Sequence, residues 1–217
     1  MGPLGERMTK PRVLIADDHL LLLDAFERLL ERAYEIVGKV ADGRELVRAA
    51  LELKPDAVVA DVSMPELNGL EAARQILALL PGTRIVLLTV HEDEVLAADA
   101  LRAGVSGFVV KRSAAGELQQ ALRDALAGEK YLTQLIAGGD ARSLVGQPGN
   151  GLPIGRLTPR EREVLQLLAE GRTMKEIGVR LGITARTVAF HKYQLSEKLG
   201  LRSTADLVRY ALGHHLA

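Results

Sequence analysis

Five polar side chains in the first part of the chain stand where short apolar runs end. They are Asp17, Asp18, Asp61, Thr89 and Lys111. Such runs are typical of buried parallel strands, whose carboxyl ends share one crevice in a doubly wound sheet. Three carboxylates gathered there repel one another unless a cation joins them, and Mg²⁺ prefers oxygen ligands of this kind. With a hydroxyl and an ammonium group nearby, one carboxylate could then accept a phosphoryl group.

Each of these residues alone has a plainer explanation. An acidic pair after a strand commonly caps a helix. A single aspartate often sits in a turn, and a single lysine is usually a solvated loop charge. The combination at four different strand ends is what favours a phosphoryl-accepting site.

The elements that must position these side chains alternate between strands and helices. The strands are predicted at residues 12–16, 34–40, 57–60, 84–89 and 107–110. The helices are predicted at residues 20–32, 43–53, 69–80, 93–103 and 114–127. This alternation indicates a parallel sheet covered by helices on both faces. The predicted fold class is therefore α/β, with a flavodoxin-like, doubly wound, five-stranded parallel sheet.

A segment rich in glycine and proline separates this sheet from a helical remainder. We interpret residues 1–10 as an N-terminal extension, 11–137 as the first domain, 138–155 as a flexible linker and 156–217 as the second domain. Helices are predicted at residues 159–170, 174–181, 185–199 and 204–212. Each follows a serine or threonine in the N-cap position, and the first three end at a glycine. The second domain should be an all-α, four-helix unit containing a helix-turn-helix.

Composition narrows the functional classes. The chain has no cysteine, which excludes disulfides and cysteine-bound zinc. It has no apolar run long enough to span a membrane and no apolar core typical of a signal peptide, so we expect a cytoplasmic protein without a membrane partner. The net charge is zero, yet from Arg156 onward 11 lysines and arginines stand against six aspartates and glutamates. This local excess weakly favours a nucleic-acid partner.

Residues 11–127 strongly resemble the receiver domain of a two-component response regulator. The resemblance rests on Ile15-Ala16-Asp17-Asp18-His19, Asp61-Val62-Ser63-Met64-Pro65 with Asn68-Gly69, Leu88-Thr89, and Gly107-Phe108-Val109-Val110-Lys111. It implies that Asp61 is the phosphoacceptor. The implied Mg²⁺ ligands are Asp18, Asp61 and the backbone carbonyl of Ser63, with Asp17 assisting through water. Thr89 and Lys111 would contact the phosphoryl group, and Thr89 with Phe108 would form the conformational switch.

Residues 156–212 closely resemble a LuxR-type DNA-binding domain. The matching residues are Leu157-Thr158-Pro159-Arg160-Glu161-Arg162-Glu163-Val164-Leu165, Lys175-Glu176-Ile177, Thr187-Val188, His191 and Lys198-Leu199. With the receiver, they indicate a response regulator of the NarL/FixJ type. Its third helix would enter the major groove of double-stranded DNA, with Val188, Leu195 and Leu199 facing the core. The implied DNA-binding residues are Arg186, Thr187, Ala189, Phe190, Lys192, Tyr193 and Lys198.

Two positions in this domain have open alternatives. Phe190 could instead be partly core. The fourth helix serves as a dimerisation face in this family, which would use Leu207, Val208, Tyr210 and Ala211; the alternative is ordinary packing on the other three helices.

The combined reading is a transcriptional regulator activated by Mg²⁺-dependent phosphorylation of Asp61 by a sensor histidine kinase. In related proteins, phosphorylation uncovers the recognition helix or favours a homodimer, and we expect one of these here. The chain would not be an enzyme beyond slow loss of its own phosphoryl group, at a rate that we expect Ser63 and His91 to influence. One alternative is the same architecture acting without phosphorylation. An aspartyl-phosphate phosphohydrolase is the other, although the adjacent pair Asp17-Asp18 lacks the Asp-x-Asp spacing of the haloacid-dehalogenase type.

Overall fold

The computed structural model describes residues 10–137, 157–214 and 216. The predicted linker 138–155 and nearly all of the N-terminal extension lie outside the described residues, so these domain boundaries stay predictions. Within the described residues, no helix is both long and apolar enough to cross a bilayer.

A single parallel sheet organises the first part of the described chain. Its strands are β1 (Arg12–Ala16), β2 (Glu35–Val40), β3 (Ala57–Asp61), β4 (Arg84–Thr89), β5 (Gly107–Val110) and β6 (Tyr131–Leu132). Within the described residues, these six strands lie in the order β2-β1-β3-β4-β5-β6, and all pair in parallel. The five predicted strands are confirmed. The sixth was missed because it has only two residues, too few to show a pattern; it pairs with Gly107 and Phe108 at the edge of β5.

Helices cover both faces of the sheet, as predicted. They are α1 (Leu20–Leu30), α2 (Gly43–Leu53), α3 (Gly69–Leu79), α4 (Glu94–Arg102), α5 (Ala114–Leu126) and a short α6 (Gln134–Ala137). Successive strand residues point to opposite faces: Leu14 joins the core beneath α2, α3 and α4, while Val13 and Ile15 join the core beneath α1 and α5. Both faces of the strands are therefore dry, and their carboxyl ends meet at one edge.

The C-terminal part contains the four predicted helices. They are α7 (Pro159–Ala169), α8 (Met174–Leu181), α9 (Ala185–Leu199) and α10 (Thr204–Gly213). All four predicted caps are present; those of α7, α8 and α10 are full capping boxes, in which the residue three positions later returns a hydrogen bond. Helices α8 and α9 end at Gly182 and Gly200 in the left-handed conformation that glycine adopts without strain.

The close contact between α2 and the loop after β3 yields a stability prediction. A Cβ added at Gly43 would lie 1.7 Å from the Leu67 carbonyl oxygen, so we expect Gly43→Ala to lower the free energy of unfolding by at least about 2 kcal/mol. Gly116→Ala is the matched control, because a Cβ there meets nothing within 4 Å in helix α5. It should be neutral or mildly stabilising. Urea denaturation followed by circular dichroism measures both; equal midpoints would contradict the packing described.

Candidate phosphoacceptor site and DNA-binding helix

Three charged groups from separate strands meet at the carboxyl edge of the sheet. The ammonium Nζ of Lys111 lies 2.7 Å from Asp17 Oδ2 and 2.9 Å from Asp61 Oδ2. All three side chains are nearly or fully buried. The structure thus brings together residues at positions 17, 61 and 111 that the sequence analysis selected only by their places after β1, β3 and β5.

Asp18 and His19 complete the rim of this cluster. The imidazole Nδ1 of His19 lies 2.8 Å from Asp18 Oδ1 and 3.3 Å from Asp17 Oδ1. Ligand atoms of Asp17, Asp18, His19 and Asp61 all lie within 4.8 Å of one another. The sequence analysis gave His19 no role. Its position directly after the acidic pair was the available signal, but only the turn into α1 brings the ring back over the carboxylates.

Burial dominates the electrostatics of Asp61. Loss of water raises the pKa of its carboxyl, and the nearby charge of Asp17 raises it further. The hydrogen bond and charge of Lys111 act in the opposite direction, as does the Ser63 backbone N–H that bonds the carboxylate. The pKa remains raised, which means that the folded protein bears a cost for keeping Asp61 ionised.

The loop from Val62 to Asn68, here called the phosphoacceptor loop, packs directly against Asp61. A Cβ at Gly69 would lie 1.9 Å from the Asp61 carbonyl oxygen, which explains the glycine in the Asn68-Gly69 motif. The Asn68 side chain caps α3 by accepting the Glu71 N–H at 2.8 Å. The loop is therefore tied to the site at its start and to α3 at its end.

The two predicted switch residues lie inside the fold. Thr89 is buried at the end of β4, and its Oγ1 accepts the His91 N–H at 3.1 Å. Phe108 is fully buried in the core beneath α2, α3 and α4. Ser63 and His91, which we expect to influence the loss of the phosphoryl group, are half-buried. A movement of Thr89 and Phe108 on phosphorylation stays a prediction.

The donor set fits a hard divalent cation. Asp17 Oδ2 is buried and, among the described residues, has no well-directed hydrogen bond despite its short distance to Lys111. It therefore keeps capacity for a further ligand, direct or through water. Carboxylate oxygens so close together are the ligands that Mg²⁺ favours in proteins.

Helix α9 presents most of the predicted DNA-binding residues to solvent. Arg186, Phe190, Tyr193 and Lys198 are exposed, and Thr187, Ala189 and Lys192 are half-buried. Val188 and Leu195 are fully buried and Leu199 packs against the same core. Phe190 is 58% exposed, so the alternative that it belongs to the core is wrong.

Both predicted DNA-binding lysines have partners within the domain. Lys198 Nζ lies 2.7 Å from the carboxylate of Glu161 on α7, and Lys192 donates to the Thr204 hydroxyl. These contacts tie α9 to α7 and to the start of α10.

The predicted dimerisation residues on α10 divide into two groups. Leu207 and Ala211 are fully buried in the core of the helical domain, so that part of the prediction is corrected in favour of ordinary packing. They lie four residues apart and therefore share the stripe of the helix that faces inward. Val208 and Tyr210 are half-buried, and they remain as candidates for an intermolecular contact.

The cost of the buried Asp61 charge yields a pH-dependent prediction. Because the folded-state pKa lies above the ordinary 3.8, the ionised carboxylate destabilises the fold, and this cost grows as pH rises from about 3.8 through the raised pKa. We expect Asp61→Asn to be more stable than wild type at pH 7, with the difference shrinking in acid. Lys111 keeps Asp17 as its partner in this variant. Urea midpoints at several pH values measure the effect; a variant less stable at neutral pH would contradict it.

Two family models cover the chain. The first, the response regulator receiver domain, matches residues 13–123, and the second, the bacterial regulatory proteins of the luxR family, matches residues 156–211. Transcriptional regulatory protein LiaR of Bacillus subtilis is 37% identical over 207 residues, which is 94% of this chain and 98% of LiaR.

Solved structures extend the likeness over both parts. RcsB from Salmonella enterica serovar Typhimurium, bound to promoter P1flhDC in the presence of the phosphomimetic BeF3-, is 27% identical with a TM-score of 0.62 and covers 96% of this chain and 99% of its own. A structure of two RcsB dimers bound to two parallel DNAs is 27% identical with a TM-score of 0.56, covering 93% of this chain and 98% of its own. The chain therefore belongs to the two-component response regulators of the NarL/FixJ type, with a receiver domain followed by a LuxR-type DNA-binding domain.

Proposed function

We propose that this response regulator controls transcription through Mg²⁺-dependent phosphorylation of Asp61 by a sensor histidine kinase. The observation that carries the proposal is the buried cluster in which Lys111 bridges Asp17 and Asp61. A cytoplasmic location and a homodimer in the active state are part of the same proposal. The RcsB dimers bound to DNA support the latter by similarity.

The proposed reaction uses the chain's own groups mainly for positioning and charge. An oxygen of Asp61 forms a bond to the phosphorus of the donor, and the bond from phosphorus to the donor's leaving group breaks with its electron pair. Lys111 faces the Asp61 carboxylate at 2.9 Å and would neutralise phosphoryl oxygens. Thr89 Oγ1 already accepts the His91 N–H, and its hydroxyl proton would donate to the phosphoryl group.

The resident cation would be held by Asp18, Asp61 and the Ser63 carbonyl, with Asp17 assisting through water. When bound, Mg²⁺ would neutralise the clustered carboxylates and the charge of the incoming phosphoryl group. Slow loss of the phosphoryl group to water would be the only other chemistry.

Signal output would follow from a shift between two conformations. Phosphorylation would draw the Thr89 hydroxyl toward the new oxygens, and Phe108 would repack beside it. Such a shift requires that the phosphoryl group interacts more favourably with one conformation than with the other. A change at the surface of α4, β5 and α5 would then favour the dimer.

A specific observation also favours a second candidate, DNA binding without phosphorylation. Phe190 and Tyr193 on α9 are more than half exposed, so these side chains could reach DNA without a prior rearrangement. If this candidate holds, Asp61→Asn will bind promoter DNA as tightly as the phosphorylated wild type. If the main proposal holds, phosphorylated wild type will bind more tightly.

Phosphorylation has a direct test. The full chain is incubated with acetyl phosphate and Mg²⁺, and the modified fraction is resolved by phosphate-affinity electrophoresis. We expect one modification, lost in Asp61→Asn and on removal of Mg²⁺ by chelation, and strongly slowed in Lys111→Met because the ammonium no longer neutralises the phosphoryl oxygens.

Asp24→Asn is the matched control, since Asp24 is an exposed aspartate paired with Lys39 away from the site. It should be modified at the wild-type rate. Undiminished modification of Asp61→Asn would refute the assignment of the phosphoacceptor.

Salt dependence tests the DNA-binding helix. Each phosphate contact contributes to the slope of log K against log salt, so we expect Arg186→Ala to reduce that slope by about 1 for each protomer bound. Phe190→Ala should leave the slope unchanged and alter the preference among sequences, because an apolar contact to a base edge carries no charge. Fluorescence anisotropy with labelled duplexes measures both. Arg48→Ala removes an exposed cation from the receiver domain and serves as control; a slope change equal to that of Arg186→Ala would oppose the proposed interface.

A further inference from the structure

Helix α7 is buried on its polar side as well as on its apolar side. Every residue from Glu161 to Leu168 is buried. Its leucines and Val164 fill the core of the helical domain. The side chains of Arg162, Glu163 and Gln166 instead contact the receiver domain. This second buried face explains why the helix carries polar groups that water does not reach.

Gln166 makes the central contact of this interface. It is fully buried, and its amide Nε2 donates to the Met64 carbonyl at 2.9 Å and to Glu170 Oε1 at 2.9 Å. Its Oε1 accepts the Asn68 backbone N–H at 2.7 Å. Both amide protons and the amide oxygen are thus satisfied. Met64 and Asn68 flank the turn of the phosphoacceptor loop, so one side chain of the DNA-binding domain bridges the loop from Asp61 to α3.

The same domain supports the strained residue between these two points. Glu66 has φ +67°, a conformation that residues with a side chain rarely adopt. Its N–H donates to Glu170 Oε1 at 2.9 Å, and its carboxylate accepts from Arg180 Nε at 2.7 Å. Contacts from α8 and the end of α7 therefore stabilise a loop conformation in which the backbone of Glu66 is strained. Without these contacts the strained conformation would be less stable.

The remaining contacts bind the helix without touching the loop. Arg162 Nε lies 2.5 Å from Glu71 Oε2 in a buried ion pair, and Gln75 Nε2 donates to Glu163 Oε1 at 3.1 Å. All of these polar contacts run through α7, α8 and the turn between them, whereas Phe190 and Tyr193 on α9 stay exposed. The docking seen here leaves these side chains of α9, the predicted recognition helix, uncovered, which favours the second of the two expected effects of phosphorylation, formation of a homodimer.

We propose that Gln166 is a positioning residue through which the DNA-binding domain holds the phosphoacceptor loop in the conformation seen here and slows phosphorylation of Asp61. The inference rests on the proposed function. The Ser63 N–H bonds the Asp61 carboxylate here, and the Ser63 carbonyl is a proposed metal ligand. A cation and a phosphoryl group bound at Asp61 would compete for these peptide groups of Ser63, which adjoin the Met64 carbonyl that Gln166 holds.

Thermodynamic reciprocity gives the consequence for signalling. An interaction that is stronger before phosphorylation opposes the reaction, and phosphorylation weakens that interaction by the same factor. Phosphorylation would thus loosen α7 from the receiver domain and free the DNA-binding domain to dimerise, even though its recognition helix is already accessible.

The test compares two variants of the full chain. Gln166→Met keeps the length of the side chain and removes its hydrogen bonds to the loop. Gln75→Met is the matched control, since it removes an amide hydrogen bond across the same interface at a place that does not touch the loop. We expect Gln166→Met to be phosphorylated by acetyl phosphate about fivefold faster at limiting Mg²⁺, with a lower half-saturating Mg²⁺ concentration. Gln75→Met should stay within about twofold of wild type.

Hydrogen exchange supplies a readout that does not depend on phosphorylation. The amides of Glu66 and Asn68 donate across the interface, so a peptide spanning residues 62–68 should exchange faster in Gln166→Met than in Gln75→Met. A damaged fold would slow phosphorylation, so a gain in rate separates release of the loop from unfolding.

Each outcome decides a different point. Equal rates and equal exchange in wild type and Gln166→Met, with Asp61 phosphorylated in both, would overturn the role of Gln166 and leave the proposed function intact. A slower Gln166→Met would overturn the restraining direction. Absence of phosphorylation in every protein, wild type included, would overturn the proposed function and this inference with it.

Discussion

The structure depends on holding two carboxylates and one ammonium group together away from water. Asp17 and Asp61 are buried at the ends of neighbouring strands, and the ammonium group of Lys111, which directly follows β5, compensates both. Removing Lys111 would leave two buried carboxylates without compensation, which costs far more than an exposed ion pair contributes. The raised pKa of Asp61 shows that the compensation is incomplete. A site built this way keeps a net negative charge that a bound divalent cation would neutralise.

The sheet holds the charged side chains rigidly, whereas the phosphoacceptor loop beside them is less constrained by its own domain. Strand residues pack alternately into the two hydrophobic cores on either side of the sheet. This close packing holds the backbone at the strand ends, and with it the carboxylates, in fixed positions. The phosphoacceptor loop is instead short, turns through a left-handed residue at Glu66, and is held from outside by Gln166 and Glu170. Because the conformation of this loop depends on contacts with the DNA-binding domain, a change in either domain would affect the other through the loop.

Local patterns predicted the fold well because they act locally. The strands β1, β4 and β5 and the helices α8 and α9 lie at the predicted residues, since apolar runs, caps and glycine stops each fix a boundary without help from distant residues. Features that failed were set by distant contacts. The edge strand β6 exists only because β5 offers an open ladder, and Leu207 and Ala211 are core because α10 turns that stripe inward. His19 entered the site through the turn that starts α1.

The sequence by itself determined the family, the order of the elements and the acidic, hydroxyl and basic groups at the strand ends, because residue type and spacing encode these directly. Only the tertiary structure decided which of those groups touch, that Phe190 faces solvent, and that Gln166 reaches the loop of another domain. The physical reason is that burial and hydrogen-bond partners depend on residues about a hundred positions apart, as for Gln166 and Met64. The spacing of residues within one helix does not indicate which distant residue its side chains will contact.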